Sequence, residues 1–251
     1  MSSTPAGPGG DTRHAADGRV GRAAEAVGDA VGDAVEAVVD EVKPRLRGWV
    51  HAGVAPFVLV ASVLLVALSP TPAARWSTAV FGVSAVLLFG TSAVYHRGTW
   101  TRRVAAVLRR LDHTNIFLII AGTYTPLAVL LLPASTARML LTVVWVGALV
   151  GVLARVFWLH APRWVYVPIY LALGWVAVGF MPQFWRTGGP LIVWLIAGGG
   201  LAYTVGAIIY ALKRPNPSPR WFGFHEVFHV LTVIGYGCHF AAVAVAASRA
   251  G

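Results

Sequence analysis

The chain has 251 residues, of which 57% are hydrophobic and only 12% charged, with a mean hydropathy of +0.69. A soluble domain carries about 25% charged residues, so this composition excludes one and points to a bilayer. The net charge of +10 is divided unevenly: residues 1–42 hold three basic residues and eight acids, whereas from Lys43 onward seventeen basic residues face two acids. The basic residues cluster at the ends of apolar runs, where phospholipid headgroups lie, and no continuous basic face exists to support nucleic-acid binding. One cysteine, Cys238, rules out an intrachain disulfide.

In chain order, residues 1–14 are rich in Gly, Pro and Ser and read as disordered. Over residues 20–42, Val27, Val31, Val35, Val39 and Val42 recur at spacings of four and three with acids between them. That pattern is an amphipathic helix with an acidic polar face, suited to a partner that the sequence does not name. Residues 1–44 therefore form a cytoplasmic tail, and residues 45–251 a transmembrane domain. No apolar segment of signal-peptide type opens the chain, so the first span does the targeting.

A spanning helix needs about 20 apolar residues. Seven stretches qualify: 50–69, 75–96, 112–133, 138–159, 164–182, 190–212 and 223–246. Short turns divide them, among them Ser69-Pro70-Thr71-Pro72, Ala161-Pro162-Arg163, Thr187-Gly188-Gly189-Pro190 and the proline-rich stretch from Arg214 to Pro219. The fold expected is all-α, an up-and-down bundle of seven transmembrane helices. One set of helix ends carries thirteen Lys and Arg residues and the other four. The positive-inside rule then puts the N-terminus in the cytoplasm and the C-terminus outside. The expected location is the cell membrane, with lipids as partners; oligomeric state is not legible.

Chemistry is marked by scarcity. In the 209 residues after position 42 the only acids are Asp112 and Glu226, and a charge in the bilayer costs on the order of 3 kcal/mol. Asp112 opens the third expected span, where an N-cap is the plainest reading. His225 and His229, four apart, project from one helix face about 6 Å apart along the axis, a metal-ligand spacing. The expected topology brings Ser92 and His96 from the second span, Asp112 from the third and both seventh-span histidines into one layer at the cytoplasmic face. Three imidazoles make a catalytic type of zinc site, with a fourth position left for water. Zinc lowers the pKa of such a water to about 7; Asp112 would orient it and Ser92 would support it. His239 is about 15 Å further along the helix, too far for the same metal. His51, His113 and His160 read as interfacial, His14 belongs to the tail, and Gly122 and Pro126 read as sites of close packing and a bend.

Ser92-Ala93-Val94-Tyr95-His96, Leu111-Asp112-His113 running on to Ala121-Gly122-Thr123-Tyr124-Thr125-Pro126, and His225-Glu226-Val227-Phe228-His229 through His239-Phe240 resemble the bacterial hemolysin III family. That family is related to the progestin and adiponectin receptors and, more distantly, to alkaline ceramidases. The resemblance covers roughly residues 45–246. It implies seven helices, zinc held by His96, His225 and His229, and Asp112 on the metal's water with Ser92 nearby; in the related receptors and ceramidases such a site is associated with hydrolysis of lipid amides, and the leading expectation here is a zinc-dependent hydrolase of a lipid amide or ester. Two other functions stay open: a membrane homeostasis factor or sensor with structural zinc, and a channel-forming cytolysin, for which the outer halves of the spans offer few polar residues. His225-Glu226-Val227-Phe228-His229 also fits H-E-x-x-H, in which Glu226 would be the general base.

Overall fold

Backbone polar groups in lipid must be satisfied within the protein, which makes helix the default for long apolar runs. The computed structural model describes residues 44–158 and 163–251. The expectations for residues 1–14 and 20–42, and those for His14 and His160, lie outside the described residues. The helices are α1 (Trp49–Leu68), α2 (Pro72–Arg97), α3 (Arg102–Leu131), α4 (Ala134–Phe157), α5 (Arg163–Trp175), a 3-10 turn over Val176–Phe180, α6 (Met181–Leu212) and α7 (Phe224–Ser248). Among the described residues no strand forms beyond an isolated bridge between Ser218 and Phe222.

Among the described residues six stretches are long and apolar enough to cross a membrane; one of them, Val165–Leu212, is 48 residues long and takes in most of α5, the 3-10 turn and α6. The turn expected at Thr187–Pro190 falls at a kink, where two helical segments of α6 meet. Gly189 leaves helical geometry there at φ 79° and ψ 176°, a conformation that only glycine adopts without strain. Contacts along this stretch alternate between the two ends of the bundle. Tyr170 donates to the His113 carbonyl at 3.2 Å, the Gly188 carbonyl accepts from Arg249 past the far end of α7 at 2.8 Å, and Tyr210 packs against His225 at the near end of α7.

The central element is α3. Seventy-two per cent of its apolar window is buried, against 22% for α1, whose Phe57 and Leu68 are 75% and 79% exposed. Large apolar side chains on an outer face are ordinary where the solvent is lipid. Gly122 of α3 lies directly against the Ser84 side chain of α2, leaving no room for a Cβ, so the expected close approach is present. The core is built on Phe81, Phe89, Phe117, Phe184 and Leu140, all essentially inaccessible.

α3 begins ten residues before the expected span. Thr101 is its N-cap, accepting from the Val104 amide at 3.4 Å. The added turns carry Arg102, Arg103, Arg109 and Arg110, which a hydropathy reading discards although they are good helix formers. Asp112 therefore lies inside a continuous helix and is not the N-cap that the sequence suggests.

Candidate metal centre

Two local devices draw the helix starts together. The segment before α1 pairs with the loop before α7 through Arg45 N–H to the Arg220 carbonyl (2.9 Å) and Leu46 N–H to the Trp221 carbonyl (3.2 Å). Asn115 of α3 donates to the Leu87 carbonyl (2.9 Å) and to Thr91 Oγ1 (3.1 Å) of α2. That clamp lies one turn beyond Asp112 and fixes the register of α3 against the end of α2 that carries Ser92 and His96.

His96, His225 and His229 converge at this end of the bundle. Each offers a ring nitrogen, and the three nitrogens lie within 4.8 Å of one another. His225 Nε2 and His96 Nε2 are 3.3 Å apart. Two imidazole nitrogens on one tetrahedral zinc, each at about 2.1 Å, stand about 3.4 Å apart, so the spacing suits a shared ion. His96 and His229 are buried, and His229 Nδ1 has no hydrogen-bond partner. All-imidazole donors favour zinc or a neighbouring transition metal over magnesium or calcium.

Asp112 Oδ2 lies 3.7 Å from His96 Nε2, and the Ser92 hydroxyl faces the same carboxylate. The sequence-derived candidates Ser92, His96, Asp112, His225 and His229 are therefore gathered in one place. Asp112 stands beside the three imidazoles rather than among the possible ligand atoms.

Glu226 is accounted for differently. It is wholly buried, with Oε1 at 2.5 Å from Arg47 Nε and Oε2 accepting from the Gly223 amide at 2.8 Å. The second bond is half of a capping box at the start of α7. Both carboxylate oxygens are occupied structurally, so the H-E-x-x-H pattern here combines ligand spacing with a helix cap.

His51 was expected at an interface, yet it is only 2% exposed. Its ring stacks on His229 with centroids 3.8 Å apart and planes 8° from parallel, and it meets Phe89 edge-on. The signal that identifies it is topological: it begins α1 at the end of the bundle where α7 also begins. His113 departs from the same expectation, since its Nδ1 is bonded to Arg155 and Arg155 in turn lies over the Tyr166 ring at 4.4 Å.

The imidazole cluster opens onto a cavity of about 270 Å³. Its pole at this end is lined by His51, Ser92, Asp112, His225 and His229, and its walls by residues such as Ile116, Ile120, Leu127, Phe184 and Ile196. A polar, metal-competent end on a chamber with largely apolar, aliphatic and aromatic walls suits an amphiphile better than a peptide or a sugar.

The family model described as haemolysin-III related matches residues 39–240. The Hemolysin-3 homolog of Bacillus subtilis (strain 168) is 28% identical over 188 residues, covering 73% of this chain and 88% of its own length. Hemolysin-3 of Bacillus cereus is 26% identical over 207 residues, or 80% and 91% of the two chains. The Heptahelical transmembrane protein ADIPOR2 of Oryza sativa subsp. japonica is 29% identical over 189 residues, or 68% and 82%. The matched region runs from just before α1 into α7 and takes in every residue of the imidazole cluster, so this multi-pass membrane protein belongs to the haemolysin-III related family, with adiponectin-receptor-like proteins among its relatives.

Proposed function

We propose that His96, His225 and His229 hold a zinc ion, and that the protein uses it to hydrolyse an amide or ester bond of a membrane lipid. The observation that carries this reading is the convergence of three imidazoles and one carboxylate on the polar pole of an apolar cavity. Zinc bound there would polarise a carbonyl oxygen and make water more acidic. The chain supplies the rest. Asp112 accepts a proton from the attacking water and returns it to the departing amine or alkoxide, as a general base and then a general acid. Ser92 holds the Asp112 carboxylate in register, and the apolar walls seat the lipid chain and limit access of bulk water.

The same reading assigns seven crossings, an N-terminus in the cytoplasm and residence in the cell membrane. At about 1.5 Å per residue, 48 residues of helix measure about 72 Å, more than twice a hydrocarbon core of about 30 Å. The break at Gly189 and the alternating end contacts of α5 and α6 support two crossings within Val165–Leu212. The excess of Lys and Arg at the imidazole end supports a cytoplasmic placement of the site.

Asp112→Asn tests the catalytic part. The variant is expected to keep its zinc and to lose at least about 100-fold in turnover of a ceramide or an equivalent lipid ester. Retained zinc with unchanged turnover would remove Asp112 from the mechanism. Retained zinc with no turnover in either protein, and an intact cellular phenotype, would favour a structural metal in a sensor.

Gly48 offers a separate test of how the cluster is held. Its φ of 79° is a left-handed conformation, and a Cβ built on it would stand 2.5 Å from that of His96. Any side chain there costs about 1–2 kcal/mol in backbone strain alone and must also displace His96. Gly48→Ala is expected to weaken zinc binding by about tenfold, the lower end for disturbed ligand support, in competition with a chelator. Wild-type affinity would show that His96 does not depend on this contact.

A further inference from the structure

Well along the cavity from the imidazole cluster, a second polar group lies between α6 and α7. Tyr203 and His239 both line the cavity, with ring centroids 5.4 Å apart. Two glycines make room for them. A Cβ at Gly199 would stand 2.5 Å from the His239 ring, and one at Gly235 would stand 3.0 Å from three atoms of the Tyr203 ring. Each helix thus gives up a side chain to admit a polar ring from the other. Aliphatic residues at these places would pack the helices at no polar cost, so the arrangement calls for an explanation beyond packing.

The hydrogen-bonding groups define what is missing. His239 Nε2 lies 3.2 Å from the Ile196 carbonyl, which can only accept, so Nε2 carries the proton. A neutral ring then presents Nδ1 as an acceptor, and that atom is buried with no partner. The Tyr203 hydroxyl is likewise buried with no partner. Leaving two such groups unmade is costly in a low-dielectric interior. One chemical group satisfies both: a ligand hydroxyl, donating to His239 Nδ1 and accepting from Tyr203. A ketone or ester oxygen could serve Tyr203 but would leave His239 Nδ1 without a donor.

His239 follows His229 by ten helical residues, which is about 15 Å along α7. We propose that Tyr203 and His239 form a hydroxyl-recognition station, and that the ligand is a long-chain lipid bearing a hydroxyl well down its chain, about 15 Å from the end held at the imidazoles. This rests on reading the cavity as the seat of a lipid chain, and it narrows that reading to hydroxylated chains.

Oleic and ricinoleic acids test it, since they differ only in one mid-chain hydroxyl. The purified full-length protein in detergent would be titrated with each acid by displacement of a fluorescent fatty acid. Ricinoleic acid is expected to bind about tenfold more tightly, the result of two buried hydrogen bonds of ordinary strength. Tyr203→Phe and, separately, His239→Phe are expected to bring the ratio of the two affinities close to one. Thermal melting of each variant would confirm that it folds, and either variant suffices. Equal affinities in the wild type, or a preference that survives both substitutions, would overturn the station while leaving the lipid cavity intact. Failure of both acids to displace the probe would overturn the lipid cavity and the station together. Binding is read rather than turnover, so the result does not depend on hydrolytic activity.

Discussion

Purified His225→Ala protein is expected to retain less than about a tenth of the wild-type zinc after dialysis against a weak chelator. Disturbing only the groups that support a metal ligand costs 10–100-fold in affinity, and removing one of three ligands should cost more. His96→Ala and His229→Ala should behave alike, because the three nitrogens share one space within 4.8 Å. Two controls give the experiment its resolution. His239→Ala should keep full zinc, since that ring bonds to Ile196 far along α7. Glu226→Gln should also keep it, because the carboxylate is engaged by Arg47 and the Gly223 amide. Retention of zinc in His96→Ala, with turnover lost but zinc kept in Glu226→Gln, would instead favour the metallopeptidase-like arrangement of the H-E-x-x-H pattern, in which the Glu is the general base.

The second large effect concerns stability. Arg47→Ala is expected to destabilise the folded protein by about 3 kcal/mol, the lower end for breaking a buried ion pair, because the Arg47 side chain is 21% exposed whereas that of Glu226 is fully buried. The loss comes mainly from leaving a carboxylate without its counter-charge. Arg47→Ala combined with Glu226→Leu should therefore recover part of the stability, and the double-mutant cycle isolates the coupling. Equilibrium unfolding in a mixed-micelle titration would read it. A change within about 0.5 kcal/mol, the size of an ordinary surface substitution, would mean that the pair contributes little. Because Arg47 precedes α1 and Glu226 caps α7, a large effect would also show that the start of the bundle is locked from this end.

Most of the helix layout was legible in the sequence because hydropathy reports what lipid requires. The same measure explains what was missed. It stops where arginines begin, so the first ten residues of α3 fall outside the expected span and a helix cap stays open for Asp112 beside its place on the metal's water. The candidate site was legible from a different signal. Helical spacing put His225 and His229 on one face, and the end at which each residue falls put His96, Asp112 and Ser92 in the same layer. His51 satisfied that same layer rule but was set aside, because a single histidine near a helix start carries no pattern of its own. Tyr203 and His239 were illegible as a pair, since their proximity depends on the packing of α6 against α7 and on the glycines at 199 and 235.

The central claim is that one metal is shared by imidazoles from α2 and α7. X-ray absorption at the zinc edge on the wild-type protein tests it most directly. Three nitrogen scatterers of imidazole type at about 2.0–2.1 Å, with a single oxygen completing four-coordination, are the predicted result. A protein that binds no zinc, or a spectrum with fewer than three imidazoles in the first coordination sphere, would contradict it.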